Sequence, residues 1–238
     1  IKVSRGSLKT PHLIAEFNLK RLHMYFIKLL NEEDIKFCIK GIQGLHYEDG
    51  GLTQPLNKQY KIKQNQQTVS VPESVRKYLI DIFYNHAYID SVYCPSRVSV
   101  NFYNKYQKGD YYNTHVDEFK ATPKSNNVYF DYGFSINLND KYEGGSFLLE
   151  TELGPISRKL EAGEAAIFPI IYPHGVSKVT KGIRENILGW FSTNVSYEQA
   201  FILKNLYDVN THLRTKDVTE VFVKSTLVQT YLKKAWGK

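Results

Sequence analysis

Two cysteines in 238 residues, Cys38 and Cys94, are too few for a disulfide-stapled secreted scaffold and favour a reducing compartment. Long apolar runs are missing as well. The longest, Ala165 to Tyr172, spans eight residues and contains Pro169, far below the length of a membrane-spanning helix. Glycine (15) and proline (8) are too sparse for a collagen-like or low-complexity chain. The formal net charge is +7, but residues 1–23 and 213–238 each carry +4, which leaves −1 for residues 24–212. That distribution argues against a nucleic-acid-binding face on the folded body. Methionine occurs once, at Met24, so residues 1–23 read either as the cut end of a longer chain or as a basic leader. They lack an apolar h-region and a small-residue cleavage site, so the expectation is a cytoplasmic protein without a secretory signal.

Aromatic residues are abundant at 14%, with 18 tyrosines, a composition that suits pleated, half-buried strands. Met24–Leu30 reads as a strand. Asn31 then caps a helix whose first turn, Glu32-Glu33-Asp34, complements the helix dipole, and Ile35, Ile39 and Ile42 continue its apolar face. Pro72 and Glu73 open a second helix with Val75, Leu79, Ile82 and Phe83 on one side. Between them, residues 48–70 are polar and Gln/Asn-rich and read as a long loop or irregular hairpin. Beyond Pro95 the period becomes two, predicting short strands over 98–103, 128–138, 146–150, 165–169, 176–179 and 187–193. Gly-, Asn- and Asp-rich turns separate them. Residues 197–207 read as helical. The sum is a mainly β chain, a sandwich or barrel with the early helices packed on its outside. Residues 24–212 would form the domain, flanked by the leader and a basic appendage over 213–238.

The chemistry lies in His115-Val116-Asp117. Alternate residues on a strand share a face, so His115 and Asp117 can ligate one ion. His174, in Tyr172-Pro173-His174-Gly175-Val176, is the candidate third ligand. Two imidazoles and one carboxylate leave three octahedral positions open, the facial triad of non-haem Fe(II) oxygenases. Arg184 follows ten residues later, and its planar guanidinium suits bidentate capture of a carboxylate such as the far end of 2-oxoglutarate. His12, His23, His46 and His212 read as ordinary histidines, and His86 as a helix-end residue complementing the dipole. Cys38 and Cys94 read as buried small hydrophobes.

In this order, H-x-D, a gap of 56 residues, His, then Arg ten later, the chain resembles the Fe(II)/2-oxoglutarate dioxygenases. Its flanking residues resemble the prolyl/lysyl hydroxylase branch, including the PKHD-type hydroxylases. Tyr106-x-x-Gly109-x-x-Tyr112-x-x-His115-x-Asp117 is similar to the prolyl 4-hydroxylase signature. Asn137-Leu138-Asn139-Asp140 through Tyr142-Glu143-Gly144-Gly145, Leu160-Glu161-Ala162-Gly163 and the run from Pro173 to Arg184 resemble the segments that follow.

The resemblance implies a double-stranded β-helix, or jelly-roll, with iron held by His115, Asp117 and His174. It implies Arg184 on the distal carboxylate of 2-oxoglutarate, Tyr106 as a second donor to that co-substrate, and Tyr112 and Trp190 facing the substrate. The implied reaction is hydroxylation of a peptidyl prolyl or lysyl residue, or of a small molecule, using O2 and releasing succinate and CO2, with ascorbate as a reductant. An AlkB-like nucleic-acid demethylase is the first alternative. That group has R-x-N-x-T-x-R after the second histidine, where this chain has Arg184-x-Asn186-x-Leu188-x-Trp190. A non-catalytic jelly-roll binding protein is the second. The polar segments 48–70 and 118–127 are the expected substrate lids. No membrane partner is expected, and oligomeric state is unreadable.

Overall fold

Alternation of inward and outward side chains builds two facing sheets. The computed structural model describes residues 26–53, 62–68, 70–117, 129–151, 154–214 and 218–237. The leader 1–23 and the segment 118–127 lie outside the described residues. Fourteen strands are numbered here in chain order. They are β1 (Phe26–Lys28), β2 (Tyr47–Asp49), β3 (Lys63–Gln64), β4 (Gln66–Thr68), β5 (Pro95–Tyr106), β6 (Tyr111–His115) and β7 (Tyr132–Asn137). After them come β8 (Tyr142–Gly144), β9 (Phe147–Thr151), β10 (Gly154–Arg158), β11 (Glu164–Pro169), β12 (His174–Val176), β13 (Val179–Gly182) and β14 (Arg184–Thr193). The large sheet runs β1-β11-β7-β14-β5-β4-β2 and the smaller β10-β9-β12-β6-β3, with β13 and β8 forming a separate pair. The pairings are antiparallel throughout, and the arrangement is a jelly-roll.

The helices cover the outer face of the large sheet. Helix α1 (Glu32–Ile42) starts as the sequence predicts: the Asn31 side chain accepts from the amides of Glu33 and Asp34 at 2.8 and 3.0 Å, and Asp34 accepts in return from the Asn31 amide. Helix α2 (Glu73–Asn85) buries Val75, Leu79 and Phe83, one per turn. Phe83 reaches Phe134 and Phe191 on the sheet, with ring centroids at 4.4 and 5.7 Å. His86 corrects the dipole expectation. It joins α2 to α3 (Ala87–Tyr93), and its Nδ1 accepts from the Ile89 amide at 3.5 Å, a role that only an unprotonated nitrogen can fill. Burial lowers its pKa and so favours that neutral form.

The helix expected over 197–207 runs on as α4 (Tyr197–Leu213), started by a capping box between Ser196 and Gln199. Helix α5 (Thr219–Trp236) packs against it through a buried contact, Asn210 Nδ2 to Gln229 Oε1 at 2.6 Å. Among the described residues no helix is long and apolar enough to cross a membrane. Cys38 and Cys94 are buried and form no disulfide among these residues.

One strand reading needs correction. The stretch 176–179 is not one strand but the end of β12 and the start of β13, broken at Ser177 and Lys178. Of the long loop or irregular hairpin expected over 48–70, the described parts follow the hairpin: β2 pairs antiparallel with β4, with a short 3-10 turn (Gly50–Thr53) and β3 lying between them in the chain. Residues 63–68 alternate strictly until the end: Lys63, Asn65, Gln67 and Thr68 are buried, while Gln64 and Gln66 are exposed. The strand period is present but carried by polar side chains, so no hydrophobic alternation betrays it. This short strap pairs with the small sheet through β3–β6 and with the large sheet through β4–β5, bridging the two at one side of the sandwich.

The same polarity continues inside. Gln67, Asn104, Asn186 and Asn137 sit opposite one another on β4, β5, β14 and β7, and all four are buried. A row of amides therefore crosses the inner face of the large sheet, where apolar packing is the ordinary solution.

Candidate active site

The metal-ligand candidates converge because β6 and β12 are neighbours. His115 ends one, His174 begins the other, and the two are direct cross-strand partners. Gly175 makes that approach possible: a Cβ there would lie 2.7 Å from the Tyr112 carbonyl oxygen of β6. Asp117, two residues beyond His115, comes between the imidazoles. Its carboxylate oxygens lie 3.4 Å from His115 Nε2 and 3.5 Å from His174 Nε2. The three ligand atoms fall within 4.8 Å of one another, close enough to share one ion.

The ring orientations are set from behind. His115 Nδ1 donates to the Asn113 carbonyl at 2.9 Å, and His174 Nδ1 donates to the Tyr172 carbonyl at 3.0 Å. With the proton held on Nδ1, each Nε2 keeps a lone pair for a metal. Tyr112 stacks on His115 at 3.8 Å, and Phe168 lies 4.3 Å from His174. Asp117 accepts from Trp190 Nε1 at 2.8 Å. Burial works to raise its pKa, but the charge that His174 and His115 carry when protonated, and the hydrogen bonds from His115 and Trp190, outweigh that and hold the carboxyl well below the usual range; a metal ion at the two Nε2 atoms would take the place of those protons.

At the inner end of the site, Arg184 opens β14 opposite Tyr106 on β5. It is fully buried. Nη1 donates to Asn186 Oδ1 at 2.9 Å, whereas Nε and Nη2 are buried with no hydrogen-bond partner among the described residues. Asn186 is tied in turn to Ser135, and both side-chain atoms of buried Asn104, next in the amide row, also lack a partner. Gly145 closes over the guanidinium stem with φ +60°, and a Cβ there would sit 3.1 Å from Arg184 Cδ. The Arg184 guanidinium also lies 5.3 Å from the Tyr106 ring. Burial pushes the Tyr106 phenol up to about 12, against the pull of Arg184, so it remains a donor.

An orphaned, buried guanidinium is costly unless an anion completes it. Two imidazoles and a carboxylate are the donor set of a non-haem iron centre, and the open donors of Arg184 suit a carboxylate. The residues present thus fit both Fe(II) and 2-oxoglutarate. The fold and site together define an Fe(II)/2-oxoglutarate oxygenase.

Comparisons narrow this. Residues 98–192 match the family model of the 2OG-Fe(II) oxygenase superfamily. A PKHD-type hydroxylase of Idiomarina loihiensis is 29% identical over 188 residues, covering 79% of this chain and 84% of the relative. One from Prochlorococcus marinus strain MIT 9515 is 31% identical over 176 residues, covering 71% and 77%. The crystal structure of a Pseudomonas putida prolyl-4-hydroxylase shares the fold, with TM-score 0.51 at 14% identity, over 73% of this chain and 96% of that one. The chain belongs to the PKHD-type hydroxylases, and it is an Fe(II)- and 2-oxoglutarate-dependent hydroxylase.

Sequence reasoning named His115, Asp117, His174, Arg184, Tyr106, Tyr112 and Trp190, and the structure brings all seven to this site. It did not anticipate the Trp190–Asp117 hydrogen bond, the amide row, or Lys63. The alternation Lys63-x-Asn65-x-Gln67 was the available signal for the last.

The Trp190 bond carries a prediction. Trp190→Phe retains an aromatic ring beside Phe102 and Phe130 but leaves one Asp117 oxygen without its donor. Iron affinity is expected to fall about 10- to 100-fold, as for other outer partners of metal ligands. Anaerobic Fe(II) titration of the two proteins checks it, with an unchanged affinity counting against the bond.

Proposed function

We propose that His115, Asp117 and His174 hold Fe(II), that Arg184 and Tyr106 hold the distal carboxylate of 2-oxoglutarate, and that the enzyme hydroxylates a C–H bond of a peptide side chain or a small molecule. The observation that carries this reading is the pairing of a pre-oriented His/Asp/His cluster with a buried arginine whose Nε and Nη2 have no hydrogen-bond partner among the described residues. Bound iron and 2-oxoglutarate supply the oxidising chemistry, in which O2 gives one oxygen to succinate, with loss of CO2, and the other to the new hydroxyl.

The protein's own part is orientation and exclusion of water. Carbonyls of Asn113 and Tyr172 fix both imidazoles, and Trp190 fixes the carboxylate. Arg184 fixes the direction in which the co-substrate enters, because its guanidinium is itself held by Asn186. Tyr112, Phe102 and Trp190 provide apolar walls near the metal ligands, so the group to be hydroxylated meets hydrocarbon and aromatic surface there. The AlkB-like alternative finds no support on this strand, where Leu188 and Trp190 stand in place of Thr and Arg. Two buried cysteines without a disulfide agree with a cytoplasmic setting.

The test is anaerobic titration with Fe(II) and then 2-oxoglutarate. A visible metal-to-ligand charge-transfer band is expected, saturating at one iron per chain. Well-folded protein that gives no band would return the chain to a non-catalytic binding role.

A further inference from the structure

Lys63 is a buried cation that the reading above does not use. It lies on β3, directly opposite Tyr112. Its Nζ stands 5.3 Å from the Tyr112 ring and 6.0 Å from the Phe102 ring, and it donates to Gln67 Oε1. Both rings lead to the metal ligands, since Tyr112 stacks on His115 and Phe102 meets the edge of Trp190, which binds Asp117. The lysine thus stands beside the aromatic rings that flank the metal-ligand candidates. The strap fixes it there: a Cβ at Gly50 would lie 1.8 Å from Asn65 Oδ1 and 3.1 Å from Lys63 Cε, so chain packs closely behind it.

Its charge is incompletely answered. Gln67 is neutral, and the acids whose fields reach Lys63 are Asp117, committed to the metal, and Asp49, whose carboxylate accepts from the Gly51 amide. Burial pulls the ammonium down to about 8, with the two acids recovering only part. In the loaded site, iron(II) and the dianionic co-substrate cancel, as do Asp117 and Arg184. Exposed Asp49 is then, among the described residues, the one acid left whose field reaches Lys63, so an ammonium buried beside the Tyr112 and Phe102 rings calls for a further counter-ion.

Resting on the function proposed above, we propose that Lys63 is a substrate-specificity residue that binds a carboxylate of the primary substrate, next to the apolar C–H group presented to iron. The carboxylate can belong to a free small acid or to the C-terminus of a peptide.

Anaerobic protein loaded with Fe(II) and 2-oxoglutarate is titrated with L-proline and L-leucine, with their N-acetyl amides, and with tetrapeptides ending in either residue. The charge-transfer band is followed throughout. At least one acid is expected to perturb the band saturably, at tenfold or more lower concentration than its amide. Response to the free acids or to the tetrapeptides alone identifies the source. Lys63→Met is expected to keep the native affinity for 2-oxoglutarate and lose the preference for acid, which Lys63→Arg retains.

Equal response to acid and amide, no response to any acid, or an undiminished preference in Lys63→Met overturns the proposal. So does a tenfold loss of 2-oxoglutarate affinity in Lys63→Met, which would put the lysine on the co-substrate. Should Lys63→Met not fold, the acid-to-amide comparison in the native chain decides. Failure of the band in the native chain, before any acid is added, instead removes the iron-site reading and this inference with it.

Discussion

Alanine in place of His174 is expected to abolish the charge-transfer band and reduce hydroxylation by well over the roughly 100-fold that loss of an outer-shell partner costs. The reason is that no neighbour can replace it. Among the described residues, His115, Asp117 and His174 are the one His/Cys/Asp/Glu group placed to hold a metal. Two remaining ligands, one of them a carboxylate held by Trp190, leave iron weakly bound and its open positions undefined. The ring also carries packing, lying 4.3 Å from Phe168 and 4.4 Å from His115. A cooperative melt of the variant therefore has to accompany the titration. Folded protein that still gives the native band would remove His174 from the centre.

Replacing Arg184 by methionine is expected to act in opposite directions on binding and on stability. Affinity for 2-oxoglutarate should fall about 30- to several-thousand-fold, the equivalent of the 2–5 kcal/mol lost when one member of a buried, hydrogen-bonded charge pair is truncated. Without ligand, however, the native chain buries a guanidinium that has Asn186 on one nitrogen and, among the described residues, no hydrogen-bond partner on Nε or Nη2. An apolar side chain of similar volume removes that desolvation cost, so the variant should be neutral or more stable by about 1–4 kcal/mol. Denaturant melts of both proteins without co-substrate, set beside their 2-oxoglutarate titrations, decide it. A variant that binds weakly and is also much less stable would show that Arg184 holds the fold rather than an anion. The expected pattern, stability given up where a ligand must bind, is typical of functional sites.

How far the sequence could be read depended on whether its signal was local. Asn31 with its acidic first turn, and the Val75/Leu79/Phe83 face, lie within one or two helical turns, and both helices are found as expected. His115, Asp117, His174 and Arg184 were legible because each belongs to a short run whose residue types match the chemistry. What was missed depends on residues that meet only after folding. The 63–68 strap reads no more sharply than as part of a loop or irregular hairpin, because the face it buries consists of Lys63, Asn65 and Gln67. The amide row exists only once β4, β5, β14 and β7 lie in register. Trp190 reads as a pocket aromatic, and its donor role becomes visible only through a partner 73 residues away.

The longest antiparallel ladder, β14 against β5, has a consequence of its own. Arg184, Asn186 and Trp190 stand at even spacing on β14, so one strand serves both ends of the site, the guanidinium and the Asp117 carboxylate. A shift of β14 by a single residue would turn all three to the opposite face together. On the roles proposed above, iron geometry and co-substrate capture are in this sense one variable, and a change that loosens this strand should disable both in parallel, leaving no intermediate protein that binds one and not the other.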